Sequence, residues 1–292
     1  MKSQGANRVA LYSCLFGGYE RLNELEPDAI GSSDAIVFTD DPNLTSRTWR
    51  IVVVQPAWPG DSVRSQRQIK ILGHDALADY DTLVYVDNTV KLRVPVESFV
   101  EQWLQDSTLA MIVHGPPATT ISDGFDVVTE LKLDDPERLH EQREHYAAHY
   151  PDVLKAKPYW TGFFARRNND DYRNFARIWY DQILRYSRRD QMSIHVALQL
   201  SGVSIRDIEM SNSDSPLHSW PHPTGRQEHI RRSARPDYRA QLEEAQQTFA
   251  EERRVFEASL EESRSQLAST YETLSWKVTR PLRAVRRLLR RS

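Results

Sequence analysis

Four short segments hold the side chains best suited to chemistry. Leu83-Val84-Tyr85-Val86-Asp87-Asn88-Thr89-Val90 is a hydrophobic run that ends in an acid. A strand of that kind delivers a carboxylate to the carboxyl edge of a sheet, where open α/β sheets collect ligands. A carboxylate there can hold a divalent cation, which in turn neutralises a diphosphate. An Asp-Asn turn closing a strand explains the same residues, and for this segment alone it is the stronger explanation. Just upstream, Arg64, Arg67 and Lys70 recur at three-residue intervals. On a helix, neighbours at that spacing lie about 5–6 Å apart near one face. Clustered cations suit a phosphate-bearing substrate, although a solvated helix face has the same pattern.

The third segment, Arg188-Arg189-Asp190-Gln191-Met192-Ser193, precedes a periodic apolar stretch. Asp190 has the place of a helix N-cap; alternatively, Asp190 and Gln191 present side-chain oxygens to a cleft. The fourth, Tyr159-Trp160-Thr161-Gly162-Phe163-Phe164, reads as an aromatic strand, with Gly162 where backbone can approach a ligand closely. A buried strand accounts for most of it. His218 and His222 sit in a Pro-rich loop and are metal-ligand candidates by position, where a structural or solvated histidine is the commoner finding.

These segments need a scaffold, and the pattern around them supplies one. Residues 9–16, 35–38, 51–54, 82–86 and 108–113 are short β-rich runs bounded mostly by Gly, Pro, Asp or Asn. Helix-like segments fall at 62–79, 95–105, 172–185 and 191–200. Strands alternating with helices predict an α/β fold with a largely parallel sheet covered on both faces.

The chain has 292 residues, 38 basic and 41 acidic, for a net charge of −3. That balance excludes a globally basic nucleic-acid binder, so no nucleic-acid partner is expected. Cys14 is the only cysteine, which excludes a disulfide framework and a Cys-based zinc site and suits a reducing, cytoplasmic setting. No apolar run approaches the roughly 20 residues that span a bilayer. Residues 9–16 imitate a signal sequence but lack a small-x-small cleavage site and run into Gly17-Gly18-Tyr19-Glu20, so they read as a strand.

Around residue 211 the composition changes. Residues 237–274 hold no Gly or Pro and predict a long polar helix. Phe256, Leu260, Leu267 and Leu274 form a partial seam, interrupted by Ser263 and Thr270 and broken upstream by Arg253 and Gln246. That is weak coiled-coil character, compatible with a homodimer. Residues 277–292 hold seven Lys/Arg and no acid, leaving 31 basic against 41 acidic residues, or −10, in the remainder. Leu282, Val285, Leu288 and Leu289 give this tail an apolar stripe, suited to an anionic membrane surface on the inner face of a cytoplasmic membrane. The expected organisation is a globular domain over 1–225, a polar helix over 226–275 and a basic amphipathic tail over 276–292.

The order of the segments resembles a group of glycosyltransferase-like proteins that includes plant proteins of mucilage and pollen development. The resemblance rests on Tyr12-Ser13-Cys14-Leu15-Phe16-Gly17-Gly18-Tyr19, Phe38-Thr39-Asp40, Trp49, Arg67-Gln68-Ile69-Lys70 with His74, Tyr85-Val86-Asp87-Asn88 and Arg189-Asp190-Gln191-Met192-Ser193. More distantly, the layout is similar to retaining GT-A glycosyltransferases of the galactosyltransferase/glycogenin type. Those carry a helix arginine, a Tyr-Leu-Asp-x-Asp motif, an Asn-x-Gly strand and Asp-Gln before a helix. The segment 274–283 also resembles one that ends many bacterial surface-polysaccharide glycosyltransferases.

The resemblance implies a GT-A-like domain that transfers a sugar from a nucleotide-diphosphate-sugar donor to a surface glycan or lipid-linked acceptor, with retention. It implies Mn²⁺ or Mg²⁺ on Asp87, with His218 as a late second ligand. It places Arg67, Lys70, Asp87, Asn88 and Gly162 at the donor, Asp40 near its nucleoside, and Asp190 and Gln191 beside the transferred sugar. Thr89 stands where the motif has its second aspartate, so one strong metal ligand is lost. Two other expectations compete with transfer: a ceramidase-like lipid amide hydrolase, as one plant member has been described, and a non-catalytic nucleotide-sugar-binding module.

Overall fold

The β-rich runs assemble into a seven-stranded mixed sheet in a computed structural model, which describes residues 7–113, 115, 118–226 and 238–289. Its strands are β1 (Val9–Leu15), β2 (Asp34–Thr39), β3 (Arg50–Val53), β4 (Thr82–Val86), β6 (Leu109–Val113), β7 (Tyr159–Arg167) and β8 (Ile205–Ile208). The order is β3-β2-β1-β4-β7-β6-β8. A small antiparallel pair, β5 (Lys91–Leu92) and β9 (His218–Ser219), lies apart from it. β7 is antiparallel to both its neighbours, and the other pairings are parallel. The expectation of a largely parallel sheet therefore holds.

This order defines one functional edge. The chain steps outward from β1 through β2 to β3, then returns to place β4 on the other side of β1. The topological switch point thus lies between the carboxyl ends of β1 and β4, where open sheets bind ligands. β7 enters from that same edge: it runs antiparallel to β4, with Val86 at the end of β4 opposite Phe163 and Thr82 at its start opposite Arg167 at the end of β7.

Side chains alternate across the strands, so both faces are buried. Tyr12, Phe38, Tyr85, Met111 and Phe164 face α1 (Ser62–Leu72) and α5 (Asp170–Arg185), packing against Ile69, Phe175, Trp179 and Ile183. Leu11, Val37, Val84, Ile112 and Phe163 face the opposite side, with Phe99 and Leu104. A third cluster joins α3 (Ile121–Glu130) and α4 (Pro136–His149) through Phe125, Leu139 and Tyr146.

Several boundaries differ from the sequence reading. The helix expected over 62–79 ends at Leu72, because Gly73 turns to φ 85° and a 3₁₀ turn follows over Asp75–Leu77. The helix expected over 95–105 is split into α2 (Val96–Phe99) and a π-helical turn, Val100–Leu104. The helix expected over 191–200 becomes a 3₁₀ turn, Asp190–Met192, then α6 (Ile194–Ser201). α4 lay outside the pattern because it buries just Leu139, Gln142 and Tyr146.

The chain divides into two compact units, Met1–Arg235 and Pro236–Ser292. The second holds α7 (Tyr238–Glu272) and α8 (Leu274–Leu289), with Pro281 inside α8. The seam residues Phe256, Leu260 and Leu267 are exposed along α7. Side chains of Leu274, Val285, Leu288 and Leu289 lie outside the described set. Among the described residues, no helix is long and apolar enough to cross a membrane.

Candidate active site

Helix α1 sets the cations of the site. Asp61 caps it, accepting from the Arg64 backbone N–H at 3.0 Å, and Gly73 closes it. Arg67 and Lys70 fall on the face turned to the sheet, and Lys70 is fully buried. Arg64 does not join them. It pairs with Asp61 at 2.6 Å and donates to the carbonyls of Ile183 and Tyr186, tying α1 to the end of α5.

Asp190 is what holds the two cations. It opens the 3₁₀ turn and is not the N-cap of α6, whose flanking residue is Ser193. Its carboxylate is buried, with Oδ2 2.6 Å from Lys70 Nζ and 3.0 Å from Arg67 Nε. Oδ1 accepts from Thr161 Oγ1 at 3.1 Å and from the Gln191 backbone N–H at 3.2 Å. Trp179 Nε1 donates to the Asp190 carbonyl at 2.9 Å. Burial opposes the charge, but Arg67 and Lys70 overcome it and hold the Asp190 carboxyl far below the ordinary carboxylate range. Burial pulls the Lys70 ammonium below its usual range against Asp190 and Asp87. Burial opposes the Arg67 charge too, yet Asp190 and Asp87 raise its pKa.

Asp87 follows β4 and is the accessible acid, its side chain 28% exposed. Oδ1 accepts from the Tyr85 hydroxyl at 2.6 Å and lies 3.8 Å from Lys70 Nζ. The Tyr85 hydroxyl accepts from Gln66 Nε2 at 2.6 Å, and Lys70 Nζ stands 4.7 Å from the Tyr85 ring centroid. Burial and the Asp87 charge push the Tyr85 hydroxyl well above its ordinary pKa, so it stays a donor. The Asp87 backbone N–H donates to the Gly162 carbonyl at 2.7 Å. Four formal charges thus form one cluster: two cations, Arg67 and Lys70, and two carboxylates, Asp87 and Asp190.

The other expected residues have mixed placements. Asp40 accepts from the Gly17 N–H at 3.1 Å through both oxygens, fixing the loop after β1, where Gly17 and Gly18 take positive φ. Asn88 is committed to the fold: its amide donates to the Arg21 carbonyl and accepts from the Asn23 N–H, both at 2.8 Å. Gly162 is a glycine for packing, since a Cβ there would stand 2.8 Å from the Trp160 indole. Gln191 is half-buried beside the cluster, and its side-chain amide makes no hydrogen bond among the described residues.

His218 is buried on β9, stacked on Trp160 at 5.0 Å. Its Nδ1 meets Ser215 Oγ at 2.9 Å and its Nε2 the Asn212 carbonyl at 3.1 Å, so both ring nitrogens are engaged. Among the described residues, no group of three or more His, Cys, Asp or Glu side chains is placed to hold a metal. The acid that is available, Asp87, fits an ion carried mainly by substrate phosphates and water, as Mg²⁺ commonly is, and does not fit an all-protein cage.

Sequence reasoning missed three contributors. Thr161 and Tyr85 stood in quoted motifs but went unassigned. Arg226 had no signal at all. The segment after β9 folds back, with the His222 N–H on the Thr89 carbonyl at 2.6 Å and the Arg21 N–H on the Thr224 carbonyl at 3.0 Å. This brings Arg226 Nε to the buried Glu20 at 2.8 Å and its guanidinium 5.8 Å from the Tyr19 ring centroid. Burial opposes the Arg226 charge, while Glu20, Tyr19 and Asp87 raise its pKa.

The chain matches no protein-family model and no curated protein sequence.

Proposed function

We propose that this protein is a nucleotide-sugar-dependent glycosyltransferase with a GT-A-like domain, acting on a glycan or lipid-linked acceptor. The observation that carries the reading is the Arg67–Lys70–Asp190–Asp87 cluster, positioned at the switch point of a mostly parallel sheet. In the reaction, the bond from the anomeric carbon to the donor diphosphate breaks, and its electrons go to the diphosphate oxygen. The acceptor hydroxyl oxygen bonds the anomeric carbon, and its proton passes to the departing diphosphate. Charge develops on the leaving group, so preorganised cations are the main requirement.

The residues divide that work. Asp87 would hold Mn²⁺ or Mg²⁺ delivered with the donor, and the ion would neutralise the diphosphate. Lys70 and Arg67 fix Asp190, and Tyr85 orients Asp87. Asp190 stays ionised with both oxygens engaged, so it makes a poor general base. An inverting transfer needs a base on the acceptor hydroxyl, and this favours retention. Gln191 has no useful pKa, and its amide is available to orient a sugar hydroxyl.

The test is a thermal-shift screen against UDP-, GDP- and dTDP-sugars with and without Mn²⁺. Donor at a hundred times its dissociation constant stabilises by about 2.7 kcal/mol. For a domain of this size that is roughly 5–10 °C in Tm. A shift for one nucleotide class whose Mn²⁺-dependent part is lost in Asp87→Asn supports the reading; no shift with any donor sinks it.

A further inference from the structure

We propose that α8 docks along the surface of an anionic phospholipid bilayer. Residues 277–292 carry seven cations and no acid, against a net −10 in the rest of the chain. The structure makes 274–289 one helix, through Pro281. At 3.6 residues per turn, Val278 and Leu282 share a face, and in the sequence Val285 and Leu289 continue that spacing. Val278 and Leu282 are each 70% exposed, an uncovered apolar pair.

The cations occupy the other side. Trp276, Thr279 and Arg283 follow one another at helical spacing, with the Arg283 guanidinium 3.5 Å from the Trp276 ring centroid and its Nη1 donating to Thr279 Oγ1 at 2.8 Å. Arg283 is thereby laid along the helix, away from Val278 and Leu282, and Arg280 and Arg287 fall on the same side. A helix with an apolar stripe on one side and arginines on the other matches a bilayer interface, where acyl chains meet the first and lipid phosphates the second. Arg280, Arg283, Arg286 and Arg287 all fall within the described helix, and no helix among the described residues is long and apolar enough to cross a membrane. The helix therefore lies on the surface. This inference stands whether or not the first unit transfers sugars.

The experiment is co-sedimentation of the full chain with phosphatidylcholine vesicles, with and without phosphatidylglycerol at one lipid in three. The chain should sediment with the anionic vesicles and stay in solution with the neutral ones. Each cation near the surface contributes about 1 kcal/mol, or roughly fivefold. Arg280→Gln, Arg283→Gln and Arg287→Gln together should then weaken binding about a hundredfold. Val278→Ser with Leu282→Ser leaves the net charge unchanged and should weaken it more than tenfold. No binding to anionic vesicles, or equal binding to neutral ones, overturns the proposal. So does wild-type binding by Val278→Ser/Leu282→Ser, which would make the tail a plain polycation that grips any polyanion, nucleic acid included.

Discussion

Asp190→Asn is the substitution that tests the site most directly, because it removes one charge and almost no volume. In the native chain Asp190 Oδ2 faces Lys70 at 2.6 Å and Arg67 at 3.0 Å, all three buried. The amide leaves two cations in a space that excludes water. Breaking a buried pair by removing one partner costs about 3–5 kcal/mol, because the charge left behind has no compensation. Asp87 offsets little of this, since it lies 3.8 Å from Lys70 and is partly solvated. At 2–4 °C per kcal/mol for a domain of this size, Tm should fall by roughly 6–20 °C at pH 7.

The pH dependence gives the prediction a sign. Asp190 has a folded pKa held below its unfolded value of about 3.9. Its contribution is therefore fully present above that value and is lost as pH falls below it. The gap between wild type and Asp190→Asn should be widest near neutrality and close below about pH 4. Thermal unfolding of both proteins by circular dichroism, from about pH 2 to 8, measures it. Two outcomes would refute the reasoning: a neutral-pH Tm within a degree or two of wild type, or a gap that persists unchanged into acid.

Three further substitutions separate packing from chemistry. Gly162→Ala puts a Cβ 2.8 Å from the Trp160 ring, and calorimetry should show a loss of about 1–3 kcal/mol from overpacking. Asn88→Ala frees the Arg21 carbonyl and the Asn23 N–H, so amide exchange in that loop should accelerate while the core strands keep their protection. Tyr85→Phe removes the hydroxyl between Gln66 and Asp87; the domain should lose about 1–3 kcal/mol, and donor affinity, read by titration calorimetry, should weaken as Asp87 loses its orientation.

Most of the sheet was legible because its strands are short apolar runs with clear boundaries. β1, β2, β3, β4 and β6 fall within a residue or two of the pattern. What escaped was set by tertiary context. α4 hides its period because just three of its side chains reach the core, and β8 is short with a single buried residue. At the site, the grouping of Arg67, Lys70, Asp87 and Asp190 was readable from their order along the chain. Their division of labour was not. Asn88 and Gly162 occupy expected positions, yet the first holds a loop and the second makes room for an indole. Arg226 depends on a fold-back more than two hundred residues from Glu20, which no local spacing encodes.

The two acids of the site therefore answer different questions. Asp190 is buried, with both cations on one oxygen and two neutral donors on the other, and its replacement disturbs α1, the 3₁₀ turn and β7 together. Lost activity in an Asp190 variant would report damage to the scaffold as readily as damage to chemistry. Asp87 lies at the rim, with one oxygen oriented by Tyr85 and its side chain partly open to solvent. Its loss leaves the Arg67–Lys70–Asp190 cluster in place with one cation in excess. That excess favours binding of an anion such as a diphosphate, even as it removes the carboxylate that would hold a divalent ion. An Asp87 variant that binds free nucleotide well and yet fails to transfer would thus separate recognition of the donor from stabilisation of the leaving group, which no Asp190 variant can do.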